Sequence, residues 1–99
     1  MKRSVRILRR AESDLRELRD YLGDERRAGP GDSVDRILAA AASLTEHAER
    51  GARPRDARLE SLGYRFLVVD RYLVFYKTSH GTVRVYRIVH GARRYRHLL

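Results

Sequence analysis

The chain has no cysteine. Disulfide frameworks, thiolate nucleophiles and cysteine-based zinc sites are thereby excluded, and a reducing cytoplasm is the expected compartment. No apolar run approaches ~18 residues, so no transmembrane helix is expected. The N-terminus, Met1-Lys2-Arg3-Ser4-Val5-Arg6, is basic but has no apolar stretch behind it and does not read as a signal peptide. Lysine is nearly missing: of 22 basic residues only Lys2 and Lys77 are not arginine. Negative charge is scarce in one half alone. Residues 1–50 carry 11 basic and 10 acidic side chains, whereas residues 51–99 carry 11 basic and three acidic ones, Asp56, Glu60 and Asp70. Of the formal charge of +9, +8 therefore lies in the second half. Such one-sidedness points to an acidic partner, either nucleic acid or an acidic protein segment.

What is present fits one folded domain over residues 1–99. Hydrophobic residues make up 42% of the chain, enough to set it apart from disordered sequences. A chain this short buries roughly 60–70% of its unfolded surface, which gives one modest core and little room for a deep cavity. Residues 3–9 alternate weakly and read as a first strand. Over 11–25, Ala11, Leu15, Leu18 and Leu22 recur at helical spacing, with Glu12, Arg16, Glu17 and Arg19 opposite. Ala28-Gly29-Pro30-Gly31-Asp32 breaks that pattern. Asp32 or Ser33 is a plausible N-cap for a second helix over 33–50, with Val34, Ile37, Leu38, Ala41, Leu44 and Ala48 on its stripe and Gly51 as its terminator. A basic connector over 52–62 follows, anchored by Leu59 and Leu62. Three β-rich runs then occupy 64–69, 72–77 and 83–89, joined at Asp70-Arg71 and at Ser79-His80-Gly81-Thr82. The fold class expected is α+β: an N-terminal strand, an antiparallel α-helical hairpin, and a three-stranded antiparallel meander in two layers. Tyr72, Val74 and Tyr76 share one sheet face and Leu73 and Phe75 the other. The helices cover one face, and the second is a candidate docking surface.

The meander residues Arg71-Tyr72-Leu73-Val74-Phe75-Tyr76-Lys77 and Val85-Tyr86-Arg87-Ile88-Val89-His90-Gly91-Ala92-Arg93 resemble the ParE branch of the RelE/ParE toxin superfamily. The first helix, with Ala11, Asp14-Leu15, Leu18 and Tyr21, and the Gly63-Tyr64-Arg65 lead-in to the sheet are similar as well. The resemblance spans roughly residues 5–93. It implies a RelE/ParE-like two-layer domain acting as a bacterial type II toxin. It also implies neutralisation by a ParD-like antitoxin with an acidic C-terminal segment in a hetero-oligomer, and DNA gyrase as the target of the free toxin. The RelE branch instead contains ribosome-dependent mRNA endonucleases. Of that branch's catalytic positions, Arg65 and Arg93 stay basic, while Leu67, Leu73 and Leu99 occupy the other three. Three of five roles are lost, which argues against ribonuclease chemistry and for inhibition by binding. After His-Gly-Ala-Arg, where the family often has an acidic residue, this chain has Arg94.

The candidate target-binding residues are Arg87, His90, Arg93, Arg94, Tyr95, Leu98 and Leu99. The candidate antitoxin-binding residues are Arg65, Tyr72, Val74 and Tyr76. Arg65, Arg87 and Arg93 could converge at one end of the sheet, where planar guanidinium forks suit phosphate or carboxylate. Arg87 is expected to share a face with Val85 and Val89. Tyr72, Tyr76, Tyr86 and Tyr95 interleave with arginine, a pattern shared by base-stacking surfaces and by ordinary sheet tyrosines. Leu98-Leu99 reads either as a frayed end or as an exposed apolar tip that meets the target. His47, His80, His90 and His97 lack metal-ligand spacing, and neither a metal nor a cofactor is expected.

Overall fold

A computed structural model of the chain describes residues 3–24, 32–91 and 95–99. The order of elements is β1 (Ser4–Ile7), α1 (Arg9–Asp24), α2 (Ser33–Ser43), α3 (Ala57–Ser61), β2 (Arg65–Val69), β3 (Tyr72–Ser79) and β4 (Thr82–His90), with a last 3-10 turn at Arg96–Leu98. The strands form one mixed sheet in the order β1-β4-β3-β2. The last three are the expected meander, and β1 joins its far side parallel to β4, pairing Ser4 with Thr82 through Ile7 with Val85. The α+β architecture is thus as the hydrophobic periods indicated. The turn region 28–31 lies outside the described residues.

Alternation places two sets of side chains on opposite faces of the sheet. Leu67, Val74, Tyr76, Val83, Val85 and Ile88 pack against the apolar stripes of α1 and α2, with Val5, Ile7, Val69 and Tyr72 at the margin. Each fully buried residue of this size contributes about 1.5–3 kcal/mol. Phe75, Val89 and Tyr64 point the other way and meet Leu59 of α3, with Phe66, Leu73, Tyr86, Tyr95, Leu98 and Leu99 around them. This corrects the expectation of an open second face. The connector supplies a helix and the C-terminus folds back, so that Phe75 is fully buried.

The connector folds because Asp56 caps it, its carboxylate accepting from the Leu59 amide at 3.0 Å. Its far end closes as a Schellman motif. The Tyr64 amide donates to the Leu59 carbonyl and the Gly63 amide to that of Glu60, with Gly63 at φ +89°. The accompanying apolar pair is Leu59 with Tyr64, which delivers Tyr64 onto the second face.

The second helix stops at Ser43 rather than near 50, with Leu44 as its C-cap. Tertiary demands override the periodicity there. The Arg3 amide takes the Thr45 carbonyl, and Ala52 pairs with Phe66 in both directions. Between them the chain must bring Ala48 and Gly51 to the buried Tyr76 hydroxyl, which donates to the Ala48 carbonyl (2.6 Å) and accepts from the Gly51 amide (3.0 Å). Gly51 is therefore no helix terminator. A Cβ there would lie 2.5 Å from the Tyr76 hydroxyl and 2.9 Å from the Phe66 carbonyl oxygen.

A bulge opposite Phe75/Tyr76 interrupts the β3–β4 register: Tyr76 pairs with Val85 but Phe75 pairs with Arg87. The parity of β4 changes across Tyr86, so Val85 and Ile88 face the helices while Val89 faces away. The expectation that Arg87 shares a face with both Val85 and Val89 fails for this reason.

Removing the Tyr76 hydroxyl strands a buried amide and a carbonyl. Tyr76→Phe is expected to lower stability by about 1–3 kcal/mol, read as a fall in the urea midpoint at unchanged slope.

Candidate functional site

The site is built where β4 outruns β1. The parallel pairing ends at Ile7, with the Leu8 amide on the Val85 carbonyl. Beyond it the Ile88 amide meets no strand among the described residues. Asp14, three residues after Ala11 and four before Leu18, projects from the apolar stripe of α1 into that gap. Its carboxylate accepts from the Ile88 amide (2.9 Å), from Arg87 Nε (2.8 Å) and from Arg87 Nη2 (3.1 Å). Both side chains are about 7% exposed. The third guanidinium nitrogen, Nη1, donates to the Leu98 carbonyl at 3.1 Å. One arginine thus clasps α1, β4 and the C-terminal segment together.

The C-terminal segment lies over the second face. The Tyr95 ring rests on Phe75 with centroids 5.0 Å apart, and Leu98 and Leu99 are half-buried beside them. Arg58 Nη2 donates to the Leu99 carbonyl at 3.2 Å. The expected exposed apolar tip is instead tucked down, because Phe75 and Leu73 need cover that α3 alone does not give. Next to it Lys77 sits over two rings, 4.4 Å from the Tyr64 centroid and 5.0 Å from that of Tyr86. Burial pushes the Tyr64 hydroxyl above its ordinary pKa.

The candidate residues separate into distinct settings. Arg87 is buried and engaged by Asp14, so it is not an open contact for a target. His90 is exposed at the end of β4, its ring edge-on to Tyr72 with centroids 5.6 Å apart. Arg93 and Arg94 lie outside the described residues. Among the antitoxin candidates, Val74 and Tyr76 are fully buried beneath the helices, which corrects their assignment to a contact surface. Burial also pushes the Tyr76 hydroxyl pKa up. Arg65 is half-buried and donates to the carbonyls of Glu49 (3.2 Å) and Gly51 (2.9 Å). It and Arg87 point to different neighbours and do not converge. Tyr72 is half-buried and lines a cleft.

That cleft is a two-lobed concavity among the described residues, and sequence reasoning missed it. One lobe of about 260 Å³ has Leu18, Tyr21, Ile88 and Val89 on its walls; a second of about 390 Å³ is rimmed by Ser33, Arg36, Asp70 and Arg71. Tyr21, Tyr72 and His90 line both. In the second lobe Asp70, at φ +54°, accepts from Arg36 Nε (2.9 Å) and from the Ser33 hydroxyl (2.7 Å). The Arg36 and Ser33 hydrogen bonds hold its carboxyl below the ordinary carboxylate range. Asp14 had a signal in the sequence, an acid inside an apolar stripe. The cleft had none, because it joins α1 to the distant ends of β3 and β4. Among the described residues no group of three or more His, Asp or Glu side chains is placed to hold a metal ion.

A four-stranded mixed sheet with two helices on one face is the fold of the RelE/ParE-type toxins. A chain of the chromosomal ParDE TA system from P. aeruginosa superposes with a TM-score of 0.70 at 22% identity, covering 90% of this chain and 96% of the other. The RelBE2 toxin–antitoxin complex of Mycobacterium tuberculosis superposes at 0.67 and 20% identity, covering 91% and 99%. Toxin RelE2 of Caulobacter vibrioides is 38% identical over 84 residues, 85% of this chain and 90% of that one. Residues 5–95 match the ParE toxin of type II toxin–antitoxin systems, parDE. The chain belongs to the ParE toxin family. It is a type II toxin of the ParE/RelE kind.

Two outcomes are expected. Asp14→Ala leaves Arg87 buried and uncompensated, costing about 3–5 kcal/mol; the Asp14→Leu/Arg87→Met double variant should lose less than the two single changes summed, measured by urea unfolding. Asp70 contributes stability above the unfolded carboxyl pKa, and that contribution disappears as pH falls through its lowered folded value. The melting temperatures of wild type and Asp70→Asn should therefore differ near neutrality and converge in acid.

Proposed function

We propose that the chain is held inactive by a ParD-like antitoxin with an acidic C-terminal segment, and that the free toxin inhibits DNA gyrase and so stops replication. The observation that carries the gyrase reading is the fate of the ribonuclease positions. Leu67 is buried in the core beneath the helices, and Leu73 and Leu99 pack around Phe75. Those three positions hold apolar packing where the RelE branch has reacting groups, and Arg65 is committed to two backbone carbonyls. Acid–base chemistry at a ribose hydroxyl needs paired groups within hydrogen-bond reach of it. The acidic antitoxin is supported by the +8 charge of the second half, since complementary charge steers and holds a segment that folds on binding.

The name RelE2 of the Caulobacter relative favours a second reading, a ribosome-dependent mRNA endonuclease, with Arg65, Arg93 and Tyr95 as the carriers. Expression with and without the neighbouring antitoxin gene separates the two. On the gyrase reading, growth arrest is rescued by the neighbour, messages stay intact and the DNA damage response is induced. Purified toxin should then block supercoiling or trap cleaved DNA. Transcript ends at codon boundaries within translated messages would favour the endonuclease. Target contact is assigned to the tail, with His90, Arg93 and Arg94 at its start. Deleting residues 93–99 should abolish gyrase inhibition. Because that deletion also uncovers Phe75, the charge reversals Arg93→Glu and Arg94→Glu should do the same at unchanged melting temperature. Full inhibition by the reversed protein overturns the tail assignment.

A further inference from the structure

The end of the sheet nearest the β3–β4 turn has two unlike faces. Toward the helices it offers Val5, Val83 and Val85 to the core. On the second face the same strands carry polar side chains. Ser4, Thr82 and Ser79 are paired in register, so three hydroxyls lie side by side, those of Ser4 and Thr82 3.2 Å apart. Two residues away on each strand, Arg6 of β1 stands beside Arg84 of β4, which in turn faces Lys77 of β3. Three cations thus cross three strands in one row, roughly 10 Å long at the usual strand spacing.

Directly opposed like charges destabilise a sheet, so the row calls for a counter-charge. Among the described residues the ion pairs fall elsewhere: Arg3 with Glu49, Arg36 with Asp70, Arg53 with Glu60 and Arg87 with Asp14. Asp56, the remaining acid of the second half, caps α3. Neutral groups hold the row in place instead. Arg84 Nη1 donates to the Ser79 hydroxyl at 3.0 Å, and Lys77 Nζ rests over the Tyr64 and Tyr86 rings. Those rings are already engaged, Tyr64 being buried and edge-on to Tyr86 with centroids 5.3 Å apart. The face therefore presents fixed cations and hydroxyls without an open aromatic platform for unstacked bases. Arginine, lysine and hydroxyl side chains of this kind contact duplex phosphates without reading sequence. A peptide laid along one strand would meet one member of the row. A charged rod crossing the strands meets all three.

We propose that the second sheet face, at Arg6, Arg84 and Lys77, binds the phosphate backbone of duplex DNA without sequence preference. The three cations take phosphates, and the hydroxyls of Ser4, Thr82 and Ser79 lie beside them as further donors. The DNA is assigned to the segment that the target holds, so that the toxin grips enzyme and DNA together. That assignment rests on the gyrase reading; the binding surface itself does not.

The probe is a labelled DNA duplex of mixed sequence, titrated with the full chain at several salt concentrations and followed by fluorescence anisotropy. The competitors are a single-stranded oligodeoxynucleotide, duplex RNA and polyglutamate, each of matched charge. The duplex should bind at least as tightly as any of them. Three phosphate contacts predict a fall in affinity of roughly 40-fold between ~50 and ~200 mM salt. Arg6→Gln and Arg84→Gln should each reduce the slope of log affinity against log salt by about 0.9 at unchanged melting temperature. Arg16→Gln and Arg19→Gln, the same charge change at exposed positions of α1, should leave that slope in place. If Arg84→Gln does not fold, Arg6→Gln decides. An equal loss in the α1 variants, an unchanged slope in the row variants, or tighter binding of any competitor each overturns the proposal. With purified gyrase, the toxin should bind the gyrase–DNA complex more tightly than gyrase alone, and the row variants should erase that difference. Row-dependent duplex binding with no effect on gyrase counts against the functional reading and leaves the surface standing. Gyrase inhibition without row-dependent duplex binding does the reverse.

Discussion

The pairing of Asp14 with Arg87 is the constraint on which the rest of the structure depends. It solves a backbone problem first: β1 is short, so β4 emerges from its partner with an amide facing an apolar layer. A carboxylate from the first helix supplies the acceptor. A buried carboxylate then needs a buried cation, and the strand provides one from the adjacent residue. That cation has a third nitrogen beyond the two the carboxylate engages, and the C-terminal backbone accepts a hydrogen bond from it. Replacing such a pair with apolar groups often costs nothing in stability. Its bonds to α1, β4 and the C-terminal segment fix how helix, strand and tail are arranged.

Much of the fold was legible in the sequence for identifiable reasons. The stripe Ala11, Leu15, Leu18, Leu22 and the runs 64–69, 72–77 and 83–89 are local patterns of period 3.6 and 2, and local patterns read directly. The end of the second helix was not legible, because Tyr76 and Phe66, more than 20 residues away, decide where the chain must turn. The short α3 was hidden in a basic connector, its Asp56 cap and Gly63 terminator too sparse to stand out. The bulge in β4 left no mark, since nothing in Val85-Tyr86-Arg87-Ile88 announces a change of parity.

The candidate site was less legible than the fold. Alternation correctly grouped Tyr72, Val74 and Tyr76 on one face but could not say that this is the face beneath the helices. Arginine looks alike in sequence whether it is solvated, as at Arg6, or engaged, as at Arg87. The clasp needed Asp14 and Arg87 to be seen together across 73 positions of chain. The charge asymmetry was legible at once, and the basic second half brings Arg84 and Lys77 face to face across β4 and β3.

The single hydrogen bond from Arg87 to the Leu98 carbonyl carries a mechanical implication. The last residues of the chain and the first helix hold opposite sides of one guanidinium. Whatever lifts the tail must loosen the grip on the helix, and whatever braces the helix must steady the tail. Linkage of this kind is reciprocal by thermodynamic necessity. A protein that seizes the helical side of this molecule would thereby govern how readily its far end is surrendered to anything else, without touching it.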